Sequence, residues 1–159
     1  MGAERNGGAD EAVRFTIPLP PYTKKNSGQI LYKRRPGGGK TPFIAPSRQY
    51  KAYENECMFF LKPLGIDYPV NVKASFYMDT RRHVDLTNLN EALHDILVAA
   101  GTLIDDNASI LVSTDGSRVF YDKENPRTEV VITPEERTFM TAQDVRKAKE
   151  EEKRRKEQE

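Results

Sequence analysis

The chain carries one cysteine, Cys57, so an intrachain disulfide is excluded. The neighbours Met58, Phe59 and Phe60 read as the surroundings of a buried thiol in a reducing compartment. No apolar run approaches the roughly 18 to 20 residues that span a bilayer. The first thirteen residues are Gly-rich and acidic, unlike a signal peptide. These absences predict a soluble cytoplasmic protein with no membrane partner. No internal repeat is present, and acidic residues are missing altogether between Arg14 and Lys51, where Lys24, Lys25, Lys33, Arg34, Arg35, Lys40 and Arg48 stand.

What is present suits one domain. The 159 residues are 37% hydrophobic and 31% charged, with a formal net charge of +1, and roughly 120 of them can bury a modest core. The organisation reads as a disordered leader over 1–13, a globular domain over 14–134 and a charged helical or disordered tail over 135–159. Net charge says little, but its distribution says more. Opposite the basic stretch, Asp79, Asp85, Glu91, Asp95, Asp105 and Asp106 face only Arg81 and Arg82. A basic flank beside an acidic focus suits an enzyme that holds a polyanion while metal ions occupy the acids.

Periodicity gives the elements. Arg14 to Leu19 alternates and stops at Pro20-Pro21, a first strand, and Ile30-Leu31-Tyr32 is a short second one. Tyr50, Tyr53, Cys57 and Phe60 recur at helical spacing behind Ser47, an N-cap, and Pro63 with Gly65 ends that helix. Val70, Val72, Ala74 and Phe76 alternate as a strand. A second helix opens near Asp85, carries Leu86, Leu89, Leu93, Ile96, Leu97 and Ala100 on one stripe, and stops at Gly101. Ile110 to Val112 and Ser117 to Tyr121 read as a hairpin turning at Asp115-Gly116, and Arg127 to Thr133 as the last strand. The expected class is α+β, a single domain with a mixed sheet and two main helices.

Two segments suggest chemistry. Gly39-Lys40-Thr41 ends like a phosphate-binding loop, but arginine stands where the motif's first glycine belongs and Pro42 follows where a helix should begin. A flexible basic loop that touches phosphodiester backbone is the better reading. The carboxylates around the second helix are the stronger signal, because Mg²⁺ held by Asp or Glu can activate water against a phosphodiester. Asp85 and Asp106 bracket a helix of roughly sixteen residues, about 24 Å long. One shared site therefore requires either a chain that turns back after Gly101 or a carboxylate from a second copy. The plainer reading is that Asp85 caps the helix and Asp105-Asp106 forms a turn.

Pro20-Pro21, Lys25-Asn26, His83-Val84-Asp85-Leu86-Thr87-Asn88-Leu89, Ala100-Gly101, Asp105-Asp106, and Pro126-Arg127 before Glu129 to Ile132 occur in the order seen in the RusA family. Over residues 14–134 the chain resembles these Holliday junction resolvases, often encoded by phages and prophages. The resemblance implies a RusA-like fold and a homodimer that resolves four-way DNA junctions in recombination and repair by Mg²⁺-dependent incision, with Mn²⁺ as a substitute. It makes Asp85 and Asp106 the catalytic metal ligands. Thr87 stands where the family has a second Asp, and Glu91 where it has a Lys. One turn beyond Thr87, Glu91 could replace the lost charge as a catalytic and metal-binding group. Asp105 orients the loop or assists the metal with a weaker claim, and Asp95 reads as a structural salt bridge. Lys24, Lys25, Lys33, Arg34, Arg35, Lys40, Arg81 and Arg82 are the expected DNA contacts. The alternative is a junction-binding protein of the same fold whose cutting is weakened or lost through Thr87 and the missing Lys.

Overall fold

A computed structural model describes residues 12–24, 29–45 and 47–159, of which 29, 30, 44 and 45 are described by backbone alone. Lys25, and residues 1–11 of the segment read as a leader, lie outside the described residues. The chain order is β1 (Val13–Ile17), β2 (Gln29–Arg34), β3 (Lys40–Ala45), α1 (Arg48–Cys57) with a 3₁₀ turn (Met58–Phe60), β4 (Val70–Met78), α2 (Leu86–Ala99), β5 (Leu111–Ser113), β6 (Arg118–Tyr121), β7 (Arg127–Pro134) and α3 (Ala142–Glu157). The fold is α+β, a single domain around a mixed sheet. The first strand starts at Val13, one residue inside the segment read as leader.

The main sheet runs β1-β7-β4 and then β5 and β6, both along the far edge of β4. Phe15 pairs with Val130 and Val72 with Ile132 in antiparallel ladders. Alternation decides which sheet face is covered: Val70, Val72, Ala74 and Phe76 of β4 and Val130 and Ile132 of β7 are at most 1% exposed. Against them pack Leu89, Leu93, Ile96 and Leu97 of α2 and Tyr50, Tyr53 and Cys57 of α1. The stripe predicted for α2 is therefore its buried face.

The hairpin predicted at Asp115-Gly116 is not one. β5 and β6 do not pair with each other; both lie parallel to β4, Val70 opposite Leu111 and Phe76 opposite Val119. The turn is a jog in one interrupted edge strand. Side chains replace the ladder across it: Asn71 Oδ1 accepts from Ser113 Oγ at 2.6 Å and from the Asp115 N–H at 2.7 Å, and Ala74 N–H donates to Ser117 Oγ at 3.0 Å. Asp-Gly signals a turn, but it does not say whether the chain reverses after it.

A second departure is β3. Thr41, Pro42 and Phe43 pair antiparallel with β2, Tyr32 opposite Pro42, and the two strands form a sheet of their own. Proline is admitted because β3 has no second neighbour among the described residues needing its missing N–H. The connection over 35–39 turns through Gly37, Gly38 and Gly39, all at φ between 90° and 105°, a conformation closed to most side chains.

Candidate metal and nucleic-acid site

Each α-helix begins at a residue able to cap it, and two of the three do so with their side chains. Ser47 Oγ accepts from Tyr50 N–H at 3.1 Å, and Thr141 with Asp144 forms a complete capping box before α3. Asp85 stands at the same position before α2 in extended backbone, yet its side chain makes no capping hydrogen bond. Its Oδ2 is 3.3 Å from Asn88 Nδ2, and the residue is exposed. The carboxylate therefore leaves the helix's first N–H groups alone and faces outward.

The far end of α2 closes as its glycine predicts. Gly101 has φ 72°, and its N–H reaches Val98 O at 3.0 Å. The chain then turns back beside the segment before β4: Ile66 N–H donates to Thr102 O, and Ile104 N–H donates to Ile66 O, both at 3.0 Å. Beyond it Asp105 builds a tight turn. One of its oxygens accepts the Asp106 N–H at 2.7 Å and the other the Asn107 amide at 3.1 Å. These bonds, the Asp106 N–H first, hold its pKa below the ordinary value. With both oxygens engaged, Asp105 shapes the loop that carries Asp106.

Asp106 lies within electrostatic reach of His94, which stands about 13 Å along the helix axis from Asp85. Burial lowers the His94 pKa below its ordinary value, opposed by Asp106 and Asp95, so its ring is neutral at neutral pH. Its Nε2 is buried without a hydrogen-bond partner among the described residues. A second group gathers around Lys24. Lys24 Nζ binds Asp95 Oδ2 at 2.6 Å, as the salt-bridge reading of Asp95 anticipates, and this bond raises the lysine's pKa, with smaller support from Glu54 and Glu91. Glu91 and Asn88 border a small recess with Lys24. Glu91 thus lies near a lysine expected from the sequence to contact DNA. Thr87 is exposed in the first turn of α2.

Among the described residues no three His, Cys, Asp or Glu side chains converge as a group able to hold a metal ion. With Thr87 in place of a carboxylate, Asp85 and Asp106 alone remain of the acids matching the resemblance. Both supply the hard oxygen donors that Mg²⁺ prefers, and Mg²⁺ typically takes one or two carboxylates and completes its shell with water and substrate phosphate. Carboxylate oxygen is thus the donor type that this ion takes.

The cations are distributed over two places. Lys33, Arg34, Arg35 and Lys40 are exposed along the β2-β3 hairpin. Lys33 Nζ lies 5.1 Å from the Phe43 ring centre, and Arg35 Nε donates to Thr41 Oγ1 at 2.6 Å. Tyr32 beside them is 63% exposed. Lys40 therefore belongs to a strand, and the Gly-Lys-Thr segment joins strand to strand, which removes the strand-to-helix geometry a nucleotide-binding loop needs. Arg81 and Arg82 are exposed where β4 leads toward α2, Arg81 over the Tyr121 ring at 4.0 Å.

A cleft of about 510 Å³ opens there, lined by residues 20–23, 78–80 and 82–84 with Gln49 of α1. Tyr22 and Gln49 escape sequence reading. Pro20-Pro21 marks the approach of this segment, but nothing in the sequence brings Gln49 to it. No family model matches the chain, and no curated protein matches it. No helix among the described residues is long and apolar enough to cross a membrane.

Proposed function

We propose that the protein is a Mg²⁺-dependent, structure-selective endodeoxyribonuclease of the RusA type that acts on four-way DNA junctions. The observation that carries this reading is Asp85, a carboxylate at a helix start that does not cap the helix and is left exposed beside a cleft bearing Arg82 and His83. Asp85 and Asp106 would hold the metal, with Asp105 fixing the loop beneath Asp106. When bound, Mg²⁺ or Mn²⁺ would supply an activated water and offset charge on the scissile phosphate. The chain's own part is to position DNA: the exposed hairpin cations and Arg81 with Arg82 bind backbone phosphates and hold the scissile step against Asp85. The reading includes a homodimer, as the resemblance implies, in which a second copy can complete the ligand set.

A junction-binding protein weakened in cutting is the second reading, favoured by Thr87 and by the place of Glu91 beside Lys24 in one recess. Incubation of a synthetic four-way junction with Mg²⁺ decides between them. The nuclease reading expects paired incisions that disappear in Asp85→Asn and Asp106→Asn while binding persists. Binding without incision by the wild type would establish the second reading instead. Glu91→Ala serves as a separate test, since unchanged cleavage rejects any ligand role for that residue.

A further inference from the structure

We infer that the cleft beside Asp85 is a nucleotide pocket, which receives one unpaired nucleotide of the DNA substrate. This deepens the nuclease reading and rests on it. The cleft volume of about 510 Å³ falls within the roughly 300 to 1,000 Å³ usual for small-ligand sites. A base pair still stacked in a duplex cannot enter such a space, so a nucleotide reaches it only by leaving its stack. That step costs least where stacking is already broken, as at a branch point.

The lining carries three chemistries that a nucleotide needs together. Arg82 and His83 provide a place for one phosphate. Tyr22, Pro20 and Met78 offer apolar and aromatic surface for a base, and Tyr22 is 41% exposed, its ring 5.4 Å from that of Tyr53. Gln49, Asp79 and Thr80 offer hydrogen-bonding groups to a base edge, Asp79 as an acceptor suited to an exocyclic amino group. Asp79 also argues against a polyphosphate as the occupant, because one phosphate can sit on Arg82 and His83 while further negative charge would meet the carboxylate. Position agrees with chemistry: Val84 lines the cleft and Asp85 is the next residue, so the occupant adjoins the bond proposed for cleavage.

Fluorescence anisotropy without divalent ions, on four-way junctions with an intact or an abasic nucleotide at the branch point, tests the assignment. Wild type should bind the intact junction about tenfold more tightly, within the range of one base stacked on an aromatic ring. Tyr22→Ala should lose that preference and Tyr22→Phe keep it, while Arg82→Ala should weaken both junctions alike because both retain the phosphate. Equal wild-type affinity for the two junctions overturns the nucleotide assignment without any variant that must fold. So does a preference that survives in folded Tyr22→Ala. Cleavage of the same junctions by wild type in Mg²⁺ separates the levels of failure. Cutting without base preference overturns this pocket alone, whereas neither binding nor cutting overturns the nuclease reading and the pocket with it.

Discussion

Asp85 and Ser47 occupy equivalent positions before α2 and α1, but only the Ser47 side chain accepts a backbone N–H of its helix. An N-cap hydrogen bond is worth about 1 kcal/mol, so Ser47→Ala should cost about that much in denaturant unfolding, while Asp85→Ala should cost less and still abolish cleavage. His94 sets a pH dependence. Its folded pKa lies below the 6.5 of the unfolded chain, so between the two the unfolded state binds the extra proton. Stability contributed by the neutral ring is complete above the unfolded value and is lost as pH falls through 6.5 toward the folded pKa. The slope cannot exceed about 1.4 kcal/mol per pH unit for one proton. Denaturation of wild type and His94→Gln from pH 7.5 to 5 should show a shallower acid loss in the variant. Cys57 is fully buried, and burial pushes its thiol up to about 11, so a thiol reagent at pH 7.5 should label it only as fast as the protein opens. Its burial was legible from the helical spacing it shares with Tyr50 and Tyr53 and not from its neighbours, since Phe59 and Phe60 are exposed; the neutral state of His94 was not legible, because it depends on what packs over α2.

At the scale of elements, α1, β4, α2 and β7 are readable because each buries one face and the apolar period records it. The errors fall where pairing decides. β5 and β6 look like a hairpin until Asn71, on β4, is seen to bond Ser113 and Asp115 and hold the jog against the sheet. β3 was hidden by Pro42, which breaks propensity and is tolerated only because its strand has a single neighbour among the described residues. The hairpin formed by β2 and β3 gives the basic stretch its purpose in the proposed function: exposed cations on both strands and the turn. Lys33→Ala and Lys40→Ala should each weaken junction binding regardless of sequence and reduce the slope of log K against log salt by about one. A change in affinity without a change in slope would remove those residues from the phosphate contacts.

At the scale of the whole molecule, α3 adds a capped helix with no buried residue, fixed by exposed pairs such as Lys156 with Glu152 at 2.8 Å. Exposed pairs of this kind contribute little, so removing residues 142–159 should shift the thermal midpoint by no more than a few degrees, and a collapse of the fold would show that the helix packs somewhere. The sequence by itself determined the α+β class, the apolar face of α2 and that of α1 except for Phe60, which is exposed in the turn beyond the helix, the glycine stop at Gly101 and the segregation of basic from acidic segments. All of these are local or periodic properties, written where they act. Tertiary structure alone decided that the Asp85 side chain leaves its helix uncapped, that Asp106 lies within electrostatic reach of His94 while Glu91 borders a recess with Lys24, and that Tyr22, Gln49 and Arg82 border one cleft. Those facts depend on how far the chain turns back after α2 and on which segments meet at the end of β4, distances in space that no spacing along the chain encodes.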